Sequence, residues 1–491
     1  MFSFIIAIAA LILGYLLYGR FVEKVFGPDP SRPTPATTKA DGVDFVPMPA
    51  WKVYMIQFLN IAGTGPIFGA IMGAKFGPAS YLWIVFGCIF AGAVHDYFTG
   101  MLSIRNGGAG MPELVKRYLG KGTSVVMLVF SIVLLMLVGT VFVYSPALIL
   151  GDLAPLSSTA RTSIMIWVGL VFAYYIIATL LPIDKIIGRF YPLFAFALLF
   201  MAAALCVCLF VKWPAIPEVW EGLGNMGEAS GLLKGQPLFP CLFITIACGA
   251  ISGFHSTQSP LMARCLKNEK QGRPIFYGAM ITEGIVALVW AAVSSYFFYA
   301  GGAAEVGSNL SAAAPAVVTK VSRSWLGIFG GILAILGVVA APITSGDTAF
   351  RSARLIVADF LKLPQKKHGN RLIIALPIFA VAALLLWYNI ADENGFNTIW
   401  RYFGWANQTL ACFSLWTATA WLTINKKGGY YLITMLPAAF MTAVCLTYIG
   451  VDKIGFHLPS AWIPYIAVSV FALSVALYYL LSRRIRIKNA Q

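Results

Sequence analysis

Three of the chain's 19 acidic residues, Asp96, Glu283 and Asp347, fall well inside long apolar stretches. A charge at the centre of a bilayer costs at least about 2.5–3.5 kcal/mol, so such residues are functional candidates by default. Asp96 follows His95, and an imidazole beside a carboxylate can form a proton path. Glu283 has no basic residue at helical spacing. A buried carboxyl without a partner can carry a proton. His95, Asp96 and Glu283 are therefore the expected proton-coupling residues, against the plainer reading of hydrogen-bonded core groups. Asp347 differs, because Arg351 and Arg354 follow it on one helical face. That spacing predicts a structural ion pair between Asp347 and Arg351 near the inner end of a helix. Thr344 and Ser345 lie just before it, next to Gly346. Their hydroxyls, with backbone carbonyls, suit an all-oxygen sodium site; the alternative is bonding back to their own helix.

Two apolar stretches are interrupted where backbone groups would be freed. The first break reads Ala62-Gly63-Thr64-Gly65-Pro66. Proline lacks an N–H and clashes with the preceding turn. The second runs from Gly249 through Ser252, Gly253 and His255 to Gln258. Unpaired backbone at membrane depth is tolerated only where it lines a cavity or packs in protein. The N-terminus of a half-helix after each break can hold a carboxylate. Close packing through small residues is the competing explanation.

The elements that position these residues follow from composition. Of 491 residues, 59% are apolar and 11% charged, against about 45–50% and about 25% in soluble domains. Mean hydropathy is +0.81. These values exclude a soluble domain, a nucleic-acid binder and a disordered chain. Long unbroken apolar runs favour helices over a β-barrel. Thirteen spans are predicted, at roughly 2–22, 51–75, 79–104, 122–150, 161–181, 189–211, 237–262, 274–300, 325–350, 371–390, 396–423, 430–450 and 460–482, from runs of about 20 apolar residues. The Pro-rich stretch Gly27–Pro49 is a linker, and Met111–Leu119 a short interfacial helix opened by Pro112.

Net charge is +16. Counting Lys and Arg by alternate loops puts 27 of the 35 basic residues on one side and 8 on the other. By the positive-inside rule this gives an N-out, C-in chain. The charge is then an orientation signal and needs no anionic partner such as nucleic acid. Phe58/Phe243, Ile61/Ile246 and Ala62/Ala247 match at an offset of 185. Five spans separate the two stretches, so the second copy is inverted, as in transporters. The eight cysteines lack zinc-ligand spacing and read as small core residues. There is no P-loop, HExxH, GxSxG or dinucleotide fingerprint.

Five ordered motifs carry a resemblance. They are Asp41-Gly42-Val43-Asp44-Phe45-Val46-Pro47, Ile61–Pro66, Ala91–Asp96, Phe243–His255, and Trp400, Phe403-Gly404 and Ala406-Asn407-Gln408. In these, and over most of its length, the chain resembles the carbon starvation protein A (CstA) family of peptide transporters, with relatives that import pyruvate. The resemblance implies uptake under nutrient limitation across a bacterial inner membrane. It also implies an all-α polytopic fold of the LeuT-like 5+5 inverted-repeat type, within the amino acid–polyamine–organocation superfamily, with one extra N-terminal and two extra C-terminal helices. Gly63–Pro66 and Ser252–His255 would flank the substrate. Thr344 and Ser345 fall where sodium-coupled superfamily members place hydroxyl ligands. The chain departs from the pattern in having Gln57 before the first break, where the family has a histidine. It reads Ser256-Thr-Gln-Ser-Pro260 after His255, shorter than the long members.

The expected protein is an alternating-access secondary transporter, not an enzyme, importing short peptides or a small carboxylate. No cofactor is expected beyond a coupling Na+ or H+; membrane lipids are its surroundings. Gly63, Thr64, Gly65, Ser252 and Gly253 would present backbone to substrate. His255, Gln258 and Asn407 would add polar contacts. The expected organisation is an N-terminal helix and linker (1–50), repeat one (51–212), an extracytoplasmic loop (213–236), repeat two (237–423) and two C-terminal helices (424–491). The alternatives are a sodium- or proton-coupled transporter of another small solute such as an amino acid, a channel, and an intramembrane hydrolase built on Ser252 or Ser256 with His255.

Overall fold

The computed structural model describes residues 1–42, 44–180, 183–305, 314–363, 368–392 and 395–490. Val43 of the first motif, and Lys366 and Lys367 of the basic set, lie outside them. Among the described residues every regular element is a helix.

The first helix, α1 (Phe2–Phe26), stops at Gly27, whose φ of 72° favours glycine. A bent pair follows, α2 (Ala50–Ile61) and α3 (Gly65–Ala74), meeting at 51°. Then come α4 (Ala79–Arg105), the short amphipathic α5 (Met111–Leu119), α6 (Lys121–Leu153), α7 (Ala160–Thr179) and α8 (Tyr191–Lys212). The second half opens with two short helices, α9 (Leu238–Thr245) and α10 (His255–Ala263). After them run α11 (Glu269–Tyr299), a second bent pair α12 (Ala314–Leu333) and α13 (Leu336–Leu361), α14 (Gly369–Ala391), α15 (Gly395–Asn425), α16 (Leu432–Val451) and α17 (Ser460–Ser482).

Nine of the described helices are long and apolar enough to cross a membrane, or 11 counting each bent pair as one span. Two of the thirteen expected spans fall short of that test. One is the divided α9/α10. The other is α15, which spends Asn407, Gln408, Thr409 and Thr417 along its length. The expected span 325–350 is corrected. Helix begins at Ala314, turns at Gly327 (φ 60°, ψ −146°), and continues to Leu361. Arg351 and Arg354 ended the apolar run in sequence but not the helix. Asp347 therefore lies in mid-helix, not near its inner end.

Burial separates centre from rim. In their most apolar windows α4 is 83% and α11 89% buried, whereas α17 is 6% buried. The centre is thus α4 and α11 with the broken helices, and α17 is peripheral. The linker after α1 is strapped across the ends of α4 and α10. Arg105 donates to the Gly27 carbonyl (2.6 Å) and pairs with Glu269 (3.2 Å). Thr34 donates to the Leu266 carbonyl, and the Met48 amide to that of Cys265 (3.1 Å). Asn268 reaches the Pro30 carbonyl (3.1 Å).

Candidate coupling and substrate site

Both predicted breaks are present, and they meet. Helix ends at Ile61 and resumes at Gly65, and again ends at Thr245 and resumes at His255. Gly249 holds φ at 90°. A Cβ there would lie 2.5 Å from that of Ala287. Gly65, Gly69 and Gly73 recur every fourth residue on α3, the small-residue spacing that lets helical backbone approach closely. Cβ atoms on them would fall 2.2 Å from Cys248 Sγ, 3.1 Å from the Thr245 carbonyl and 2.2 Å from Ile246 Cγ1. This glycine ridge seats α3 against the second break. The run Gly65-x3-Gly69-x3-Gly73 was the signal in the sequence, and it was missed.

Beside the breaks lies a buried polar chain. His95 Nδ1 and Asp96 Oδ1 are 2.8 Å apart. Asp96 Oδ2 meets His255 Nδ1 at 2.9 Å. His255 Nε2 stands 3.6 Å from Glu283 Oε2. All four side chains are at most 1% exposed. The expected proton-coupling group of His95, Asp96 and Glu283 is thus completed by His255, which sequence had placed with the substrate contacts. Glu283 gains through space the basic neighbour it lacked along its helix. His95 Nε2, His255 Nε2 and both Glu283 carboxylate oxygens find no hydrogen-bond partner. Cys248 joins this group, since one ligand atom from each of Cys248, His255 and Glu283 lies within 4.8 Å of the others. Its spacing of seven residues before His255, across a break, gave no metal signature.

The other expected contacts divide. Asn407 Oδ1 accepts from Ser252 Oγ (3.1 Å) and from the Phe254 amide (2.7 Å). Asn407 therefore ties α15 to the second break, and only its Nδ2, buried and unpaired, is left to meet another group. Gly253 sits so close that a Cβ would be 2.1 Å from the Asn407 carbonyl oxygen. Gln258 turns away to Ser352 (3.4 Å) and Thr257. Thr64 Oγ1 is buried without a partner. Gly63 faces Phe142 and Ser345, with Ser345 Oγ 3.2 Å from where its Cβ would be.

Thr344 and Ser345 behave differently from each other. Thr344 Oγ1 bonds back to the Ala341 carbonyl at 2.7 Å, the local arrangement. Ser345 Oγ crosses to the Leu59 carbonyl at 3.0 Å, in the last turn before the first break. Asp347 Oδ1 and Arg351 Nη2 are 3.7 Å apart. Tyr191 donates to Asp347 Oδ2 (3.2 Å) and Arg351 to the Ala178 carbonyl (2.9 Å), which fits a structural role.

A cavity of about 610 Å³ lies at the α3 and α9 ends, lined by Phe68, Lys75, Thr245, Trp400, Arg401 and Lys453 among others. Arg401 pairs with Asp452 (2.9 Å). Lys75 stands over the Phe298 ring (5.0 Å), and burial pushes its ammonium down to about 8.

The family model described as carbon starvation protein CstA matches residues 1–170, 145–325 and 298–448. The chain is 48% identical over 339 residues to a Haemophilus influenzae protein described as an uncharacterized membrane protein, covering 61% of this chain and 91% of that one. It is 27% identical to the peptide transporter CstA of Campylobacter jejuni, over 91% of this chain and 79% of that one. To the pyruvate/proton symporter BtsT of Escherichia coli it is 24% identical, over 90% and 80%. Its fold is similar to that of a manganese transporter of Eremococcus coleocola (TM-score 0.56, 13% identity, 91% of this chain and 99% of that one). The two chains therefore share a fold.

Proposed function

The chain belongs to the carbon starvation protein CstA family, and from that premise we propose that it is an ion-coupled importer of a small carboxylate or short peptide. It works by alternating access across the bacterial inner membrane and serves uptake when nutrients are scarce. Its thirteen spans run N-out and C-in, with α2–α8 and α9–α15 as inverted repeats. The observation that carries this reading is the meeting of two helix breaks beside a buried His–Asp–His–Glu chain. Backbone at Gly63, Thr64, Gly65, Ser252 and Gly253 faces the cargo. His255 and Asn407 Nδ2 add polar contacts. A coupling cation, a proton in the printed name of one relative, is held by Asp96, His255 and Glu283, with His95 behind Asp96.

Uptake by proteoliposomes under imposed proton or sodium gradients tests this, with labelled pyruvate set against di- and tripeptides. Gradient-driven accumulation of one class is expected; no accumulation of either would overturn it. Glu283→Gln is expected to abolish gradient-driven uptake while substrate exchange persists. Full coupling in that variant would remove Glu283 from the mechanism.

A second reading, sodium coupling, is favoured by Ser345 alone, whose hydroxyl reaches a carbonyl at the first break. Thr344→Ala and Ser345→Ala would then each weaken sodium stimulation. Wild-type uptake indifferent to sodium would end it.

A further inference from the structure

The buried chain leaves a set of electron-pair donors facing one another. Asp96 Oδ2 lies 2.9 Å from His255 Nδ1, which leaves Nε2 directed at Glu283. Neither Nε2 nor either Glu283 oxygen has a hydrogen-bond partner, and all are buried. Nε2 and Glu283 Oε2, 3.6 Å apart in a dry site, share a place for one cation, which a proton or a metal ion can take. A third donor comes from the second break, because Cys248 Sγ falls within 4.8 Å of the other two ligand atoms. The thiol is held there, since the Gly65 backbone leaves it no room to retreat.

We propose that Cys248, His255 and Glu283 bind a thiophilic divalent metal ion of the zinc type. A thiolate, an imidazole and a carboxylate suit zinc or cobalt, whereas magnesium and calcium take oxygen alone. Metal–ligand bonds of about 2.0–2.3 Å place ligands of a tetrahedral site roughly 3.3–3.8 Å apart. The widest pair here would close by about 1 Å at most. Asp96 supplies the outer carboxylate that orients a metal-bound histidine, and His95 holds Asp96 from behind. The other thiol nearby, Cys88 on α4, is turned to the Met280 carbonyl (3.3 Å). Three protein ligands leave a fourth position for water. This inference shares its residues with the proposed coupling site, and its functional consequence rests on that reading: metal occupancy displaces the coupling cation and arrests coupled uptake.

Two readouts separate the claims. Purified, chelator-stripped full-length protein is titrated with Co2+ and then Zn2+. One Co2+ per chain with a thiolate-to-cobalt charge-transfer band, bleached by Zn2+, is expected. The band is lost in Cys248→Ser and kept in Cys265→Ser, and Asp96→Asn weakens binding about 10–100-fold. Should Cys248→Ser fail to fold by size exclusion, zinc X-ray absorption on the wild type substitutes, expecting a sulfur ligand at about 2.3 Å. No band and no sulfur scatterer, or a band undiminished in folded Cys248→Ser, overturns the site. In proteoliposomes Zn2+ is expected to stop uptake. A band without inhibition leaves the metal site standing and removes coupling from this cluster.

Discussion

The two halves of each broken helix are joined to their counterparts in different ways. Between α3 and the second break the contact is a glycine ridge, with Gly65 on Cys248, Gly69 on the Thr245 carbonyl and Gly73 on Ile246. Between α2 and α10 the hydrogen bond is a side-chain one, Gln57 Nε2 to Ser259 Oγ at 3.1 Å. A seam without Cβ atoms has no room to slide, because interiors resist even a methylene of extra volume. A neutral hydrogen bond contributes about 0.5–1.5 kcal/mol net and can be exchanged for water. The difference predicts that α3 stays seated on the second break and that transport movement falls between α2 and α10.

Breaking the seam has the largest expected effect. Gly73→Val drives a side chain into Ile246 and is expected to cost about 1–3 kcal/mol. Uptake is expected to fall in step with the amount of folded protein in the membrane. Adding Ile246→Ala restores much of the loss. Wild-type melting and uptake in Gly73→Val would show that the seam is not tight. Loosening the other joint is milder for uptake. Gln57→Ala or Ser259→Ala strands a fully buried partner, should lower stability by about 1–3 kcal/mol, and should alter labelling of a Thr257→Cys reporter by about two- to tenfold. An unaltered rate would place the joint elsewhere. The smallest effect comes from the cavity at the fixed end. A lysine is charged below its pKa, so Lys75 loses its charge as pH rises through about 8. Between pH 7 and 9 the KM for an anionic substrate should rise about two- to threefold. The same rise in Lys75→Gln would assign it to another group.

The breaks were legible because Gly and Pro act locally: Gly63 lies in the break, and Gly65 and Pro66 open the helix that resumes after it. Asp96 and Glu283 were legible because a carboxylate among apolar residues has few explanations. Their partner was not, since His255 lies 159 positions from Asp96 and only the folded chain brings them together. Cys248 was read as a core residue for the same reason. Asn407 was expected to face substrate, but its oxygen serves the backbone freed at Phe254. The end of the span 325–350 was misplaced because Arg351 and Arg354 ended an apolar run while their helix continued to Leu361 under cover of protein.

The strap that follows α1 gives the moving end a clasp. It donates to the carbonyls of Cys265 and Leu266 and, through the Asp29 amide, to the Glu269 carboxylate, while its own Gly27 and Pro30 carbonyls accept from Arg105 and Asn268. Its grip comes from these contacts. Each carbonyl it releases must find water at once. The clasp can therefore unfasten only where water reaches these carbonyls, and it reseals as water leaves.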